Sequence, residues 1–159
     1  MKKMLVLSLS VAALTGCASA EKEMDTMMGI EVKAPLMARP TGTPIGEVPS
    51  CGKIWKLGSG SAELKKDGAL NVSVKGLVLN DASTGQYNGT PDGVDGVAAA
   101  VICGGKVAAQ TDVVPLSKTG DATVKASVSV PSSCATPIIA LRERYEGKVG
   151  GWLAATATK

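Results

Sequence analysis

The 159-residue chain has no histidine and no phenylalanine, and only two tryptophans and two tyrosines. Without histidine, every catalytic triad or dyad that places a proton on an imidazole is excluded, as are the common catalytic zinc sites. So few aromatics leave little from which to build the stacking platforms of carbohydrate-binding surfaces. A basic field is missing too. Lys2 and Lys3 lie in an N-terminal leader without Asp or Glu, and removing them from the 17 basic side chains leaves 15 against 14 acidic ones. Such a balance does not attract nucleic acid. No Cys-x-x-Cys motif occurs, and the longest apolar stretch, near the N-terminus, falls short of the roughly 20 residues that span a bilayer.

What is present is a chain rich in Ala, Val and Gly. Small and branched side chains of this kind suit thin β layers, because Val and Thr fit a pleated surface. Ala69–Lys75 alternates, with Leu70, Val72 and Val74 on one face and Asn71, Ser73 and Lys75 on the other. Thr123–Val130 does the same through Val124, Ala126, Val128 and Val130. Further strands are expected over Lys53–Leu57, Gly76–Leu79, Val97–Cys103, Lys106–Val114, Ile138–Arg144 and Gly151–Thr158, with turn-forming clusters between them. Gly58-Ser-Gly-Ser61 and Pro131-Ser-Ser133 are read as turns. Strands at this spacing predict an all-β fold, an antiparallel β-sandwich, with an immunoglobulin-like arrangement or a small closed barrel as variants.

Ahead of that domain the composition changes. Pro35, Pro40, Pro44 and Pro49 recur at short intervals. Prolines so spaced break helix and sheet ladders, which predicts a disordered linker over residues 17–50 and a β-sandwich domain over 51–159. Met24, Met27, Met28 and Met37 lie in this stretch. Thioethers bind soft Cu(I), but the spacing is irregular and is read as a linker that contains Met.

Met1-Lys2-Lys3 followed by the apolar Met4–Leu14 has the shape of an export signal. It ends in Leu14-Thr15-Gly16-Cys17, which resembles the lipobox of bacterial lipoproteins: a Leu, two small residues and a Cys. The resemblance covers the first seventeen residues. It implies that residues 1–16 are a signal peptide removed before Cys17, that the Cys17 thiol carries a diacylglyceryl group, and that the mature chain is anchored in a membrane. Ala18 after the cysteine, rather than Asp, implies the outer membrane where the organism has two. The order Gly76-Leu77-Val78, Cys103, Gly120-Asp121-Ala122, Pro131-Ser-Ser-Cys134 and a last strand with Trp152 is similar to small exported bacterial β-domains with no assigned activity.

With Cys17 lipidated, Cys51, Cys103 and Cys134 remain, and outside the cytoplasm a disulfide is the default. Cys103 closes a strand and Cys134 sits in a turn, so Cys103–Cys134 is the expected bridge, with pairings through Cys51 left open. The leftover Cys51 is then a free thiol, an intermolecular bridge or a buried inert side chain. Asp81, Asn88, Asp92 and Asp95 fall in a glycine-rich loop. Asp92 and Asp95 are the weak candidates for Ca²⁺, although the spacing is not that of an EF-hand. Arg142 and Arg144 would share one strand face. No cofactor is expected. These observations predict a lipid-anchored envelope protein carrying a non-catalytic interaction module, with an envelope protein or the cell wall as partner. The alternatives are a small-ligand or metal (Ca²⁺ or Cu) binding lipoprotein and, third, a hydrolase that works without histidine.

Overall fold

A computed structural model describes residues 31–38 and 42–157. In chain order they form strands β1 (Val32–Ala38), β2 (Trp55–Lys56), β3 (Ser59–Leu64), β4 (Ala69–Lys75) and β5 (Val78–Leu79), then a 3-10 helix (Ala82–Tyr87). There follow β6 (Val94–Cys103), β7 (Lys106–Gln110), β8 (Val114–Pro115), β9 (Ala122–Ser127), β10 (Ile138–Tyr145) and β11 (Lys148–Thr156). The fold is all-β and antiparallel, as the alternation of β4 and β9 predicts. The main sheet runs β7-β6-β10-β11-β1-β3-β4-β9, with β8 also on β6, and β2 pairs with β5 in a small second sheet.

The sheet curls at β1. Residues 32–35 of β1 pair with β3, whereas residues 36–38 pair with β11. One strand thus belongs to both halves, a device by which sheets turn a corner and face one another. Leu64, Leu70, Val72, Val74 and Val124 of one half meet Val97, Val101, Ile139, Leu141 and Leu153 of the other in the main core. β4 shows the expected alternation because its other face is open to water. β6 does not alternate. Val97 to Ile102 are all buried, because the outer face of that half is covered as well.

The cover comes from the proline-rich segment, which corrects the expectation that residues 17–50 are linker. Val32–Ala38 is a strand inside the sheet. Pro35 lies where pairing passes from β3 to β11, a place where a missing N–H costs little. Ile45 and Val48 bond to each other through a tight turn and pack with Ile102, Ala140, Trp152 and Ala155 in a second apolar cluster. Trp152 Nε1 donates to the Thr43 carbonyl at 3.1 Å, its backbone N–H donates to Pro49 O at 2.9 Å, and Cys51 N–H donates to Trp152 O at 3.1 Å. Pro44 and Pro49 flank a docked turn and do not mark a free chain. Residues 17–30, with Cys17, Met24, Met27 and Met28, lie outside the described residues.

A second correction concerns Gly58-Ser-Gly-Ser61, read as a turn. Its last three residues open β3, between β1 and β4. Gly60 is there for space: a Cβ on it would stand 2.8 Å from Leu57 Cδ2 and 3.0 Å from Leu36 Cβ. The run Lys106–Val114 is split into β7 and β8, with Thr111 between them keeping contact with β6. Thr111 N–H donates to Ala99 O at 2.9 Å, and Ala99 N–H donates to Thr111 Oγ1 at 3.0 Å. Cys103, at the end of β6, is disulfide-bonded to Cys134, in the turn before β10, with Cα atoms 5.3 Å apart.

Candidate functional site

Strand β10 points its alternate side chains Ile139 and Leu141 into the core, and farther along Glu143 and Tyr145 line a cleft at one end of the sandwich. Tyr145 stands at the tip because β10 turns back into β11 through Glu146 and Gly147 alone. Both have positive φ (48° and 76°), as a two-residue hairpin turn of the primed kind requires. Trp55 of β2 and Leu79 of β5, paired with each other, form another wall. The 3-10 helix brings Ser83, Thr84 and Tyr87. Asp81 caps it, accepting from the Ser83 N–H at 2.9 Å and its hydroxyl at 2.6 Å. Gly93 and Val94 complete the rim. Gly93 carries no side chain where one would reach within 2.7 Å of Tyr145 Cε2.

The cleft is an open recess of about 540 Å³, a volume within the usual range of small-ligand sites. Three of the chain's four aromatics line it, together with Lys53, Asp92, Glu143 and Cys51. Trp55 is buried, but Tyr87 and Tyr145 are 44% and 50% exposed. Sequence reasoning missed this gathering, since Trp55, Tyr87 and the pair Glu143 and Tyr145 come from three separate segments. The only available signal was the rarity of aromatics.

Cys51, a free thiol that is 8% exposed, lies in the wall of the cleft. Its Sγ–H donates to Glu143 Oε2 at 3.3 Å and its sulfur accepts from Trp55 Nε1 at 3.2 Å. Burial pushes the thiol pKa up, and the neighbouring Glu143 carboxylate adds to this through its charge and the hydrogen bond. A thiol held in its neutral form is a poor nucleophile. It acts as a donor that orients Glu143, and its burial does not suit an intermolecular bridge.

The direction of that shift has a consequence for stability. A folded-state pKa above the unfolded value means that the folded state keeps its proton longer. The contribution is complete below the unfolded thiol pKa and is lost as pH rises past it. The thermal midpoint of the wild-type protein is therefore expected to fall more steeply above about pH 8.5 than that of Cys51→Ser. Parallel curves from pH 7 to 10.5 would contradict this.

Asp95 and Asp81 are engaged outside the cleft. Asp95 accepts from Arg144 Nε at 2.7 Å, and this bond holds its carboxyl below the usual range. Asp81 caps the 3-10 helix, and Asn88 Oδ1 accepts from the Asp81 N–H at 3.0 Å. Asp92 faces the cleft. The two calcium candidates are thus placed differently, Asp92 at the cleft and Asp95 on Arg144, and among the described residues no three His, Cys, Asp or Glu side chains converge as a metal site would need. Arg142 donates to Gly150 O at 2.9 Å and to Gln110 Oε1 at 2.6 Å. A second hollow, of about 410 Å³, lies at the opposite end of the sandwich, between residues 31–34, residues 135–138 and the end of β11.

Fold and cleft together define an antiparallel β-sandwich with a ligand-sized recess at one end. No family model matches the chain, and no curated protein or solved structure compared with it is similar. No helix among the described residues is long and apolar enough to cross a membrane.

Proposed function

We propose that this chain is an envelope lipoprotein, anchored through Cys17, whose β-sandwich is a non-catalytic recognition module. The Lys-rich start, the apolar stretch and Leu14-Thr15-Gly16-Cys17 support the anchor. The observation that carries the recognition role is strand polarity. The chain comes in at Val32, at the end that holds Ile138 and Thr156, while the cleft opens at the end that holds Val94, Tyr145 and Lys148. The eight residues of β10 separate these ends by about 25 Å. Fourteen residues lie between Cys17 and Val32, a reach of at most about 50 Å. A chain anchored at Cys17 would keep its domain near the lipid surface, with the cleft facing away. The neutral Cys51 thiol and the missing histidine speak against catalysis.

The volume and aromatic lining of the cleft favour, as a second reading, a lipoprotein that binds a small ligand there. The anchor is tested by growing an expressing bacterium with radiolabelled palmitate. Label is expected on the wild-type chain and absent from Cys17→Ser, which should appear in the soluble envelope fraction. An unlabelled wild-type chain, or a labelled Cys17→Ser, would overturn the assignment.

A further inference from the structure

We propose that the ligand of the cleft is an organic cation, an alkylammonium or guanidinium group, held between Tyr87 and Tyr145 and neutralised by Glu143 and Asp92. The proposal rests on the small-ligand reading of the same cleft. Three observations lead to it.

The first is charge. Glu143 and Asp92 line the cleft against a single cation, Lys53. Lys53 also acts on Asp81 at the cap of the 3-10 helix. Among the described residues the one ion pair is Arg144–Asp95, which lies outside the lining, so neither Glu143 nor Asp92 is tied to a cation. An anionic ligand would be repelled.

The second is acceptor capacity. The Cys51 thiol occupies one oxygen of Glu143 at 3.3 Å. An ionised carboxylate offers about four acceptor sites, and among the described residues no other side-chain hydrogen bond reaches this one. A ligand with several N–H donors would meet that demand.

The third is the pair of half-exposed tyrosines in a chain that otherwise hides its aromatics. A cation over an aromatic ring gains about 0.5–2 kcal/mol, more as water is excluded. Carboxylates beside aromatic rings in one recess are the combination that selects an organic cation over a neutral polyol. They are not placed for a bare metal ion, since among the described residues no three His, Cys, Asp or Glu side chains converge.

The cation could be a free amine or a lysine or arginine side chain of a partner protein, and the test separates them. The full-length chain in detergent is titrated by calorimetry and by Trp and Tyr fluorescence with n-butylammonium, agmatine, N-acetylglucosamine, and a capped Gly-Lys-Gly peptide beside its norleucine analogue. Saturable binding of the cationic probes is expected, weakened about tenfold by Glu143→Gln and about fivefold or more by Tyr145→Ala. Asp92→Asn, at an exposed position, supplies a variant whose folding is not at risk. The lysine peptide binding at least about tenfold more tightly than butylammonium, with the norleucine analogue silent, supports a protein side chain as the source. Equal affinities support a free amine. Tyr145-dependent binding of N-acetylglucosamine without binding of any cation would overturn the proposal and leave the ligand-binding reading standing. No binding by any probe would remove both. Cation binding unchanged in all three variants would place it outside the cleft and overturn the site.

Discussion

Removing the Cys103–Cys134 bridge, by reduction or as the double variant Cys103→Ala/Cys134→Ala, is expected to lower stability by about 3.5–4 kcal/mol. The bridge joins residues 31 apart in sequence. It adds little to the folded state, because β6 and β10 already pair beside it through Ile102 and Ile138. Its effect falls on the unfolded chain, whose loop of about 32 residues would gain freedom if it were opened. The thermal midpoint should drop by about 10–20 °C, and the urea dependence should steepen as the unfolded state expands. The double variant is preferable to a single one, since it leaves neither partner of the bridge as an unpaired thiol. With Cys51 buried as a free thiol, reduction also acts on this one bridge among the described residues. A loss below about 1 kcal/mol would mean that the unfolded chain is already compact in this region.

The second large effect is expected from Trp152→Ala, at about 3–5 kcal/mol. Trp152 is fully buried, yet it faces away from the main core and anchors the segment from Thr43 to Cys51 on the outer face of the sheet. Truncation opens a cavity under Ile45 and Val48 and removes the donor to Thr43 O. Loosening should therefore be regional as well as global. Hydrogen exchange at the Ile45, Val48 and Cys51 amides is expected to accelerate, while Leu70, Val72 and Val124 stay protected up to the global limit. Trp152→Phe keeps most of the apolar volume and gives up the indole N–H, so its cost should be nearer about 1 kcal/mol. Equal acceleration in both halves of the sandwich would contradict a separately docked segment. Because Cys51 ends this segment and its N–H bonds to Trp152 O, the Trp152 variant is also expected to disturb the bond from Cys51 to Glu143.

How much of this was legible depended on whether a strand has one wet face. β4 and β9 announce themselves by alternation, and β6, β10 and β11 by their apolar residues. β1 and β3 were missed because their composition argues against sheet: Lys33, Pro35 and Met37 in one, Ser59, Gly60 and Ser61 in the other. Pro35 is tolerated only because hydrogen bonding changes partner at that residue, and Gly60 is required only because Leu36 and Leu57 close over it. Both conditions are set by distant chain and have no local signature.

Composition and short-range pattern alone were enough for the all-β class and for ruling out imidazole chemistry, each a property of residue types or of neighbours two apart. The Cys103–Cys134 bridge was the expected pairing, but with pairings through Cys51 left open it took the fold to decide it. Where the domain begins, what covers the outer face, and which side chains share the cleft were decided by the tertiary structure. Tyr87 and Tyr145 are far apart along the chain and line one cleft only because β10 and the 3-10 helix end at the same edge of the sandwich. Burial of the Cys51 thiol against Glu143 likewise follows from a segment docking onto a finished sheet, and this contact acquires its energy only once the fold exists.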